Sequence, residues 1–489
     1  MNIRCLIAAL LLACIAACSG SGSDDAAVPA QAPASQSQTV AAEPSPSSPT
    51  KTIAAVRSDA FRSNARDPGP RAAPAGAGAP LPGTTALELA AFEASKEQFN
   101  EVDGTDEGLG PTLNLDSCGG CHQQPSFGGS SPAVNPQIAF AAKLSATNTI
   151  PPFLSANGPI REARFVRNRD GSPDGGVHAL FTIAGRSDAP GCGVRQPDFA
   201  NALANRNVIF RIPTPVFGAG LIEQITDREI LANLASRADT KRVLGIRGRG
   251  NLMPASQTIT AQPNKNGNDG TVGRFGWKAQ NKSLLVFAGE AYNVEMGITN
   301  ELFPTERDET ETCQYTTQPN SVGDLAAATP LEATSSIEKF TIFMRLLAAP
   351  QPSPDTPGGS SSIAAGRALF DNVGCALCHT PTLHTGNAAI AALRKQPVNL
   401  YSDLLLHDMG WGLADGIAQG QASGREFRSA PLWGLGQRLF FMHDGRTADL
   451  RQAVLAHYSD GSEANGVIQH YVHLADREQQ DLLNFLRSL

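Results

Sequence analysis

Apolar residues recur at helical spacing in four stretches of this 489-residue chain, and each predicts an amphipathic helix. They run from Leu87 to Phe99, from Asp227 to Ala238 with Thr226 placed to cap it, from Ser361 to Asn372, and from Asp476 to Leu489. The last has a clear apolar face of Leu482, Leu483, Phe485, Leu486 and Leu489. Strand-like patterning is scarcer: Val177 to Ile183 and Val208 to Ile212 read as short strands. The pattern predicts a mainly α-helical protein.

Ahead of the first helix the pattern dissolves. Residues 19–85 are rich in Ala, Pro, Ser and Gly, cannot bury much surface, and are expected to form a disordered tether. Before them, Met1-Asn2-Ile3-Arg4 and the apolar run Leu6 to Ala17 form an export signal too short to span a bilayer. It ends in Ile15-Ala16-Ala17-Cys18, which resembles a bacterial lipobox, so residues 1–18 read as a lipoprotein signal peptide with Cys18 as the lipid-bearing residue. Ordinary signal cleavage is the alternative. Ser19, rather than Asp, favours the outer membrane by the same resemblance. The expected location is the bacterial cell envelope, lipid-anchored on the periplasmic side. A net charge of −7 and the lack of a basic patch argue against nucleic acid as a partner.

Candidate chemistry sits in two pentapeptides, Cys118-Gly119-Gly120-Cys121-His122 and Cys375-Ala376-Leu377-Cys378-His379. Cys-x-x-Cys-His is the attachment pattern of c-type haem: two thiols form thioethers and the adjacent His stands under the iron. Zinc ribbons and thioredoxin-like sites also use Cys-x-x-Cys. The immediate His in both copies, the lack of a βαβ pattern and the export signal favour haem. Two covalently bound haems, with His122 and His379 as proximal ligands, imply electron traffic. Of nine cysteines, Cys5 and Cys14 lie in the signal and Cys18 at its end, and four hold haem. Cys192 and Cys313 remain, and in an oxidising compartment they read most simply as a disulfide, with free buried thiols the alternative.

The chain also contains an internal repeat. Arg211-Ile-Pro-Thr-Pro215-Val-Phe217-Gly218-Ala-Gly220 pairs with Arg428-Ser-Ala-Pro431-Leu-Trp433-Gly434-Leu-Gly436 after a one-residue shift. Phe275 to Leu284 pairs with Phe441 to Leu450, which sets Trp277 against His443. A duplicated cytochrome-like domain accounts for this, with insertions enlarging the first copy. The expected organisation is a haem domain at 86–348, a Pro- and Ser-rich linker at 349–362 and a second haem domain at 363–489.

These residues resemble the bacterial di-haem cytochrome c peroxidase superfamily, most closely its di-haem oxidoreductase branch, sometimes labelled thiol oxidoreductases. The resemblance runs from about Leu87 to Leu489. It implies two cytochrome c-like domains with Trp277 between the haems. Glu295, in Glu295-Met296-Gly297, corresponds to a Glu that acts near the distal face of the first, peroxidatic haem. The second haem's distal ligand, usually Met, falls at His457, which would make that haem bis-histidine and lower in potential. His407, in a family element that lines the pocket, is the rival ligand. His178 is a candidate on the first haem. By the same resemblance the expected activity is a haem oxidoreductase of the peroxidase type that reduces peroxide at the first haem and relays electrons through the second. The donor would be a small cytochrome or copper protein, or a protein substrate that is itself oxidised. The alternatives are a membrane-anchored di-haem electron carrier and a haem-dependent oxygenase of organic substrates. Relatives commonly bind calcium between the domains, but no ligand loop in this sequence identifies it.

Overall fold

The four stretches of helical periodicity form helices in the computed structural model, which describes residues 63–74, 76–147, 149–173, 181–182, 185–253, 258–259, 262–263, 271–306, 310–352 and 354–489. The signal peptide, Cys18 and His178 lie outside the described residues. Helix α1 (Ala86–Phe99) starts at a capping box: Thr85 accepts from the Glu88 amide, and the Glu88 carboxylate accepts from the Thr85 amide at 2.7 Å. Helix α2 (Asp227–Ala235) is capped by Thr226, as expected. Two further core helices are α3 (Leu284–Met296), capped by Ser283 and apolar almost throughout, and α4 (Ser336–Leu346), whose buried Ile337, Phe340, Phe343 and Met344 recur at helical spacing. Helices α5 (Ser360–Asn372) and α6 (Asp476–Ser488) complete the set that positions the site. Among the described residues the strands are short and pair in antiparallel twos. Those that matter here are β1 (Glu162–Phe165) on β2 (Val208–Arg211), and β3 (Leu406–Asp408) on β4 (Glu426–Arg428).

Two helical groups carry the core. In one, α4 packs on α1 and α3. Phe92 is fully buried and stacks on Phe343 with ring centres 5.4 Å apart; Phe99 lies 4.7 Å from the same ring. In the other, α5 crosses α6, whose apolar face buries Leu482, Leu483, Phe485 and Leu486. The crossing needs Gly366, because a methyl group there would collide with the Asp481 carbonyl. Gly297 ends α3 at a φ of +69°, and a Cβ there would come within 2.7 Å of the Gly110 Cα, so a side chain is excluded twice over. Cys192 and Cys313 are joined as a disulfide, tying the chain after β1 to the segment before α4.

The described residues from Ala65 to Leu489 form one compact unit. The tether expected across residues 19–85 therefore stops earlier. Asp67 binds the Arg487 guanidinium at 2.6 and 2.7 Å, Arg71 donates to the carbonyls of Ser488 and Leu489, and Leu81 is buried. A few charges and one apolar anchor suffice to order a segment that composition alone marks as unable to fold by itself.

Phe92→Ala removes a ring with no exposed surface from the contact between α1 and α4. It is expected to lower stability by about 3–5 kcal/mol. The measurement is the guanidinium midpoint at an unchanged m-value.

Candidate functional site

Each pentapeptide flanks its own interior cavity. The larger, about 210 Å³, is lined by Cys375, Cys378, His379 and His457, with Phe370, Phe427 and Phe441 among its apolar walls. The His379 and His457 ring centres are 6.5 Å apart. Each ring is held at Nδ1, which donates to the Tyr401 carbonyl at 3.1 Å in one case and the Ala453 carbonyl at 2.9 Å in the other. A carbonyl only accepts, so both rings keep a bare Nε2, the nitrogen a metal would use. Desolvation lowers His379 to about 4 and also lowers His457, so both rings are neutral.

His407 lies on the same cavity wall and differs in kind. Its Nε2 is 3.0 Å from Asp403 Oδ2, and its Nδ1 is 3.0 Å from Glu463 Oε2. Burial opposes charge on this ring, but Cys378 and Asp403 raise its pKa well above the ordinary value. Both carboxyl groups are in turn held below theirs by the ring, against their own burial. The ring is an imidazolium with a proton on each nitrogen, so the alternative ligand considered from the sequence has no lone pair to offer.

The smaller cavity, about 120 Å³, is lined by Cys118, Cys121, His122, Tyr292, Glu295 and the polar residues Glu162, Arg164 and Arg211. His122 repeats the pattern of His379: its Nδ1 donates to the Gly129 carbonyl at 2.9 Å and desolvation lowers its pKa. Glu162 and Arg164 are two apart on β1 and face the same way, and Arg211 on β2 is in register with Glu162. Arg164 Nε is 2.5 Å from Glu162 Oε1. Glu295 is on α3, partly open where it lines the cavity. Desolvation, then the charge of Glu162, push its pKa up to about 8 against the pull of Arg164, so it is a neutral acid at pH 7. Several polar atoms of the wall residues are buried without a hydrogen-bond partner among the described residues: both side-chain atoms of Asn114, Gln280 Oε1 and Arg211 Nη1.

Trp277 lines both cavities and a third, of about 40 Å³, that shares walls with each. Its indole N–H donates to the Ile212 carbonyl at 3.1 Å. Residues paired in the sequence repeat make reciprocal bonds here: the Ile212 amide donates to the His443 carbonyl and the Arg428 amide to the Trp277 carbonyl, both at 2.9 Å. The Trp277 and His443 rings are 6.4 Å apart, and His443 stacks on Phe427 at 4.3 Å.

The family described as "Di-haem oxidoreductase, putative peroxidase" matches residues 163–489, two thirds of the chain. The chain belongs to the di-haem oxidoreductase family. The matched span holds Trp277, Glu295, His457 and the second pentapeptide, and begins after the first. Among solved structures, the hydrazine synthase of Kuenenia stuttgartiensis, pressurised with 20 bar of xenon, aligns over 96% of this chain and 100% of that chain. At 13% identity and a TM-score of 0.34, the likeness carries no functional argument. No curated protein matches.

Haem is the cofactor this di-haem oxidoreductase family implies, and the residues present fit it. At the larger cavity, two metal–nitrogen bonds of about 2 Å, plus about 1 Å from each nitrogen to its ring centre, add to roughly 6 Å. The observed 6.5 Å between His379 and His457 matches that span. Haem also carries two carboxylates. Arg428 and Arg438 line this cavity, and burial lowers both to about 10. Arg438 Nε and Nη2 are buried with no partner among the described residues, an unmet positive charge that a haem carboxylate would answer. The smaller cavity offers two thiols, the neutral imidazole of His122 and the unpartnered polar atoms already named. Burial pushes Cys375 up to about 12 and Cys118 well above the ordinary thiol value, unlike the low-pKa thiolates of thioredoxin-like sites. Among the described residues, no group of three or more His, Cys, Asp or Glu is placed to hold a metal ion such as calcium.

Several of these residues carry no signal in the linear sequence. Asp403 and Glu463 meet His407 only through the fold, and Arg438 has no motif around it. Glu162 and Arg164 were detectable in principle, as alternating charges on a strand.

His407→Leu leaves Asp403 and Glu463 as uncompensated carboxylates in the interior. A loss of about 3–5 kcal/mol is expected, as for breaking a buried ion pair. Urea unfolding checks it, and the loss should shrink at low pH, where both carboxyl groups take up protons.

Proposed function

We propose that this chain is a c-type di-haem peroxidase with two cytochrome c-like halves, in which the two sites divide the work. The asymmetry of the two cavities carries this reading: the larger is bracketed by two neutral imidazoles, whereas the smaller pairs one imidazole with a neutral carboxylic acid. In this reading Cys118 and Cys121, and Cys375 and Cys378, bind the haems as thioethers. His379 and His457 would hold the second haem, and His122 would hold the first. Haem iron at the first site would supply the binding point for peroxide and the electrons for O–O cleavage.

Glu295 moves the proton. As a neutral acid it donates to the oxygen that departs as water, and as a carboxylate it recovers the proton from the oxygen that stays. Arg164 and Glu162 set the energy of that exchange, since one favours and the other opposes charge on Glu295. Trp277, on the wall of both cavities, passes oxidising equivalents between the sites. A small cytochrome or copper protein is the proposed electron donor. A lipid at Cys18 would hold the enzyme at the periplasmic face of the envelope.

Glu295→Gln is expected to lower peroxide turnover by about 10²-fold or more, within the range for a lost general acid, while both haem spectra stay intact. Stopped-flow absorbance after peroxide addition measures it, and undiminished turnover would remove Glu295 from the mechanism. Because the protonated form works, wild-type turnover should hold below pH 8 and fall as pH rises through about 8. His457→Ala should open one haem to a high-spin spectrum and leave the other unchanged. A wild-type protein with two low-spin haems inert to peroxide would be an electron carrier instead.

A further inference from the structure

Tyr292 has surroundings that the proposed mechanism does not use. It lies on α3, one turn before Glu295, is 3% exposed, and its side chain forms part of the smaller cavity's wall. Its hydroxyl donates to Asp103 Oδ1 at 2.9 Å. Aromatic contacts lead from its ring toward His122: Tyr292 to Phe340 at 5.0 Å, Phe340 to Phe99 at 6.2 Å and Phe99 to His122 at 6.0 Å. Asp103 is buried, but it sits in a loop between the exposed Glu101 and Glu107. A proton placed on Asp103 is therefore one step from solvent-facing carboxylates.

A phenol loses an electron readily only if its proton leaves too. Burial, then Asp103, raise the Tyr292 pKa well above the ordinary value, so the proton does not leave in advance of the electron. Burial likewise lifts Asp103 to about 7, against its bond from Tyr292 and with Glu101, Glu107 and Asp116 adding to the rise, which makes it a competent acceptor. Trp277 differs: its N–H faces a backbone carbonyl, which is no base.

We propose that Tyr292 is a redox-active tyrosine, which gives one electron to the oxidised first site and, in the same step, its phenolic proton to Asp103. The Tyr292 O–H bond breaks, an O–H bond forms on Asp103, and the electron fills one of the two vacancies left by peroxide. The phenoxyl oxygen keeps one unpaired electron until an external donor returns an electron and Asp103 returns the proton. The oxidant rests on the peroxidase reading; the assignment of the residue does not.

The test uses the di-haem holoprotein with ring-deuterated tyrosine and two oxidants: peroxide, and a photo-oxidised ruthenium complex in a flash-quench experiment. The expected result with light is a tyrosyl radical in electron paramagnetic resonance that narrows on deuteration. It should be lost in Tyr292→Phe and in Asp103→Asn, while the haem absorption spectra and the melting temperature of Tyr292→Phe stay as in the wild type. A radical undiminished in Tyr292→Phe would place the unpaired electron on another of the five tyrosines and overturn the proposal. An unchanged radical in Asp103→Asn would overturn it too, reducing the Tyr292–Asp103 bond to a structural link. If light yields the Tyr292 radical but peroxide leaves the wild-type haem spectrum unchanged, the redox role stands and the peroxidase reading falls.

Discussion

One carboxylate, Asp415, holds two cations from the other side of the molecule, and the position of Trp277 follows from it. Arg211 Nη2 lies 2.5 Å from Asp415 Oδ2 and Lys278 Nζ 3.2 Å from Asp415 Oδ1, with all three side chains at most 4% exposed. Removing one partner from such a cluster leaves a charge in low dielectric, at a cost of about 3–5 kcal/mol. Arg211 ends β2, which also supplies the first cavity, and Lys278 follows Trp277 directly. The clasp therefore fixes the indole between the two cavities, and the reciprocal bonds through Ile212 and Arg428 fix its orientation. The two cavities share Trp277 as a common wall, and this seam holds it there.

The same clasp gives Trp277 electrical surroundings unlike those of Tyr292. Lys278 Nζ sits 4.1 Å over Phe427, which stacks on His443 beside Trp277; burial lowers the lysine only to about 8, so it stays largely charged at neutral pH. Two cations against one carboxylate leave a positive field around Trp277, and removing an electron from the indole is harder in that field. Tyr292 has the opposite surroundings, a carboxyl group at hydrogen-bond distance and other acids beyond it. In the proposed enzyme, a ring in a positive field with no base would pass charge on, whereas a ring paired with a proton acceptor would keep it.

What could be read in the sequence was whatever is written locally. Helices α1, α2, α5 and α6 show their period because each turns one face to water, and α1 and α2 also show a Thr cap. Helix α3 does not: Leu284 to Met296 is apolar on nearly every side, with Asn293 buried and Glu295 turned to the smaller cavity, so no stripe marks it. The two Cys-x-x-Cys-His pentapeptides are legible because their spacing is fixed and local. The difference between His407 and His457 is not, because it depends on where carboxylates come to rest. Asp403 arrives from four residues before, on the far side of a turn, and Glu463 from another segment entirely. The same holds for the end of the tether, ordered by the pairing of Asp67 with a helix that begins some four hundred residues later.

The second site combines opposing influences on its potential, and their balance sets the direction of electron flow in the proposed enzyme. Two neutral imidazoles favour the ferric state and lower the potential relative to a His/Met pair. Burial among apolar walls and the two arginines Arg428 and Arg438 act the other way, since both penalise added positive charge at the iron. The imidazolium of His407 adds little to this, because Asp403 and Glu463 together outweigh its single charge. In the proposed enzyme, a second haem held by two imidazoles would serve as the electron relay. Such a site would gain nothing from an open coordination position, and Trp277 on its wall would link it to the cavity that holds the neutral carboxyl group of Glu295.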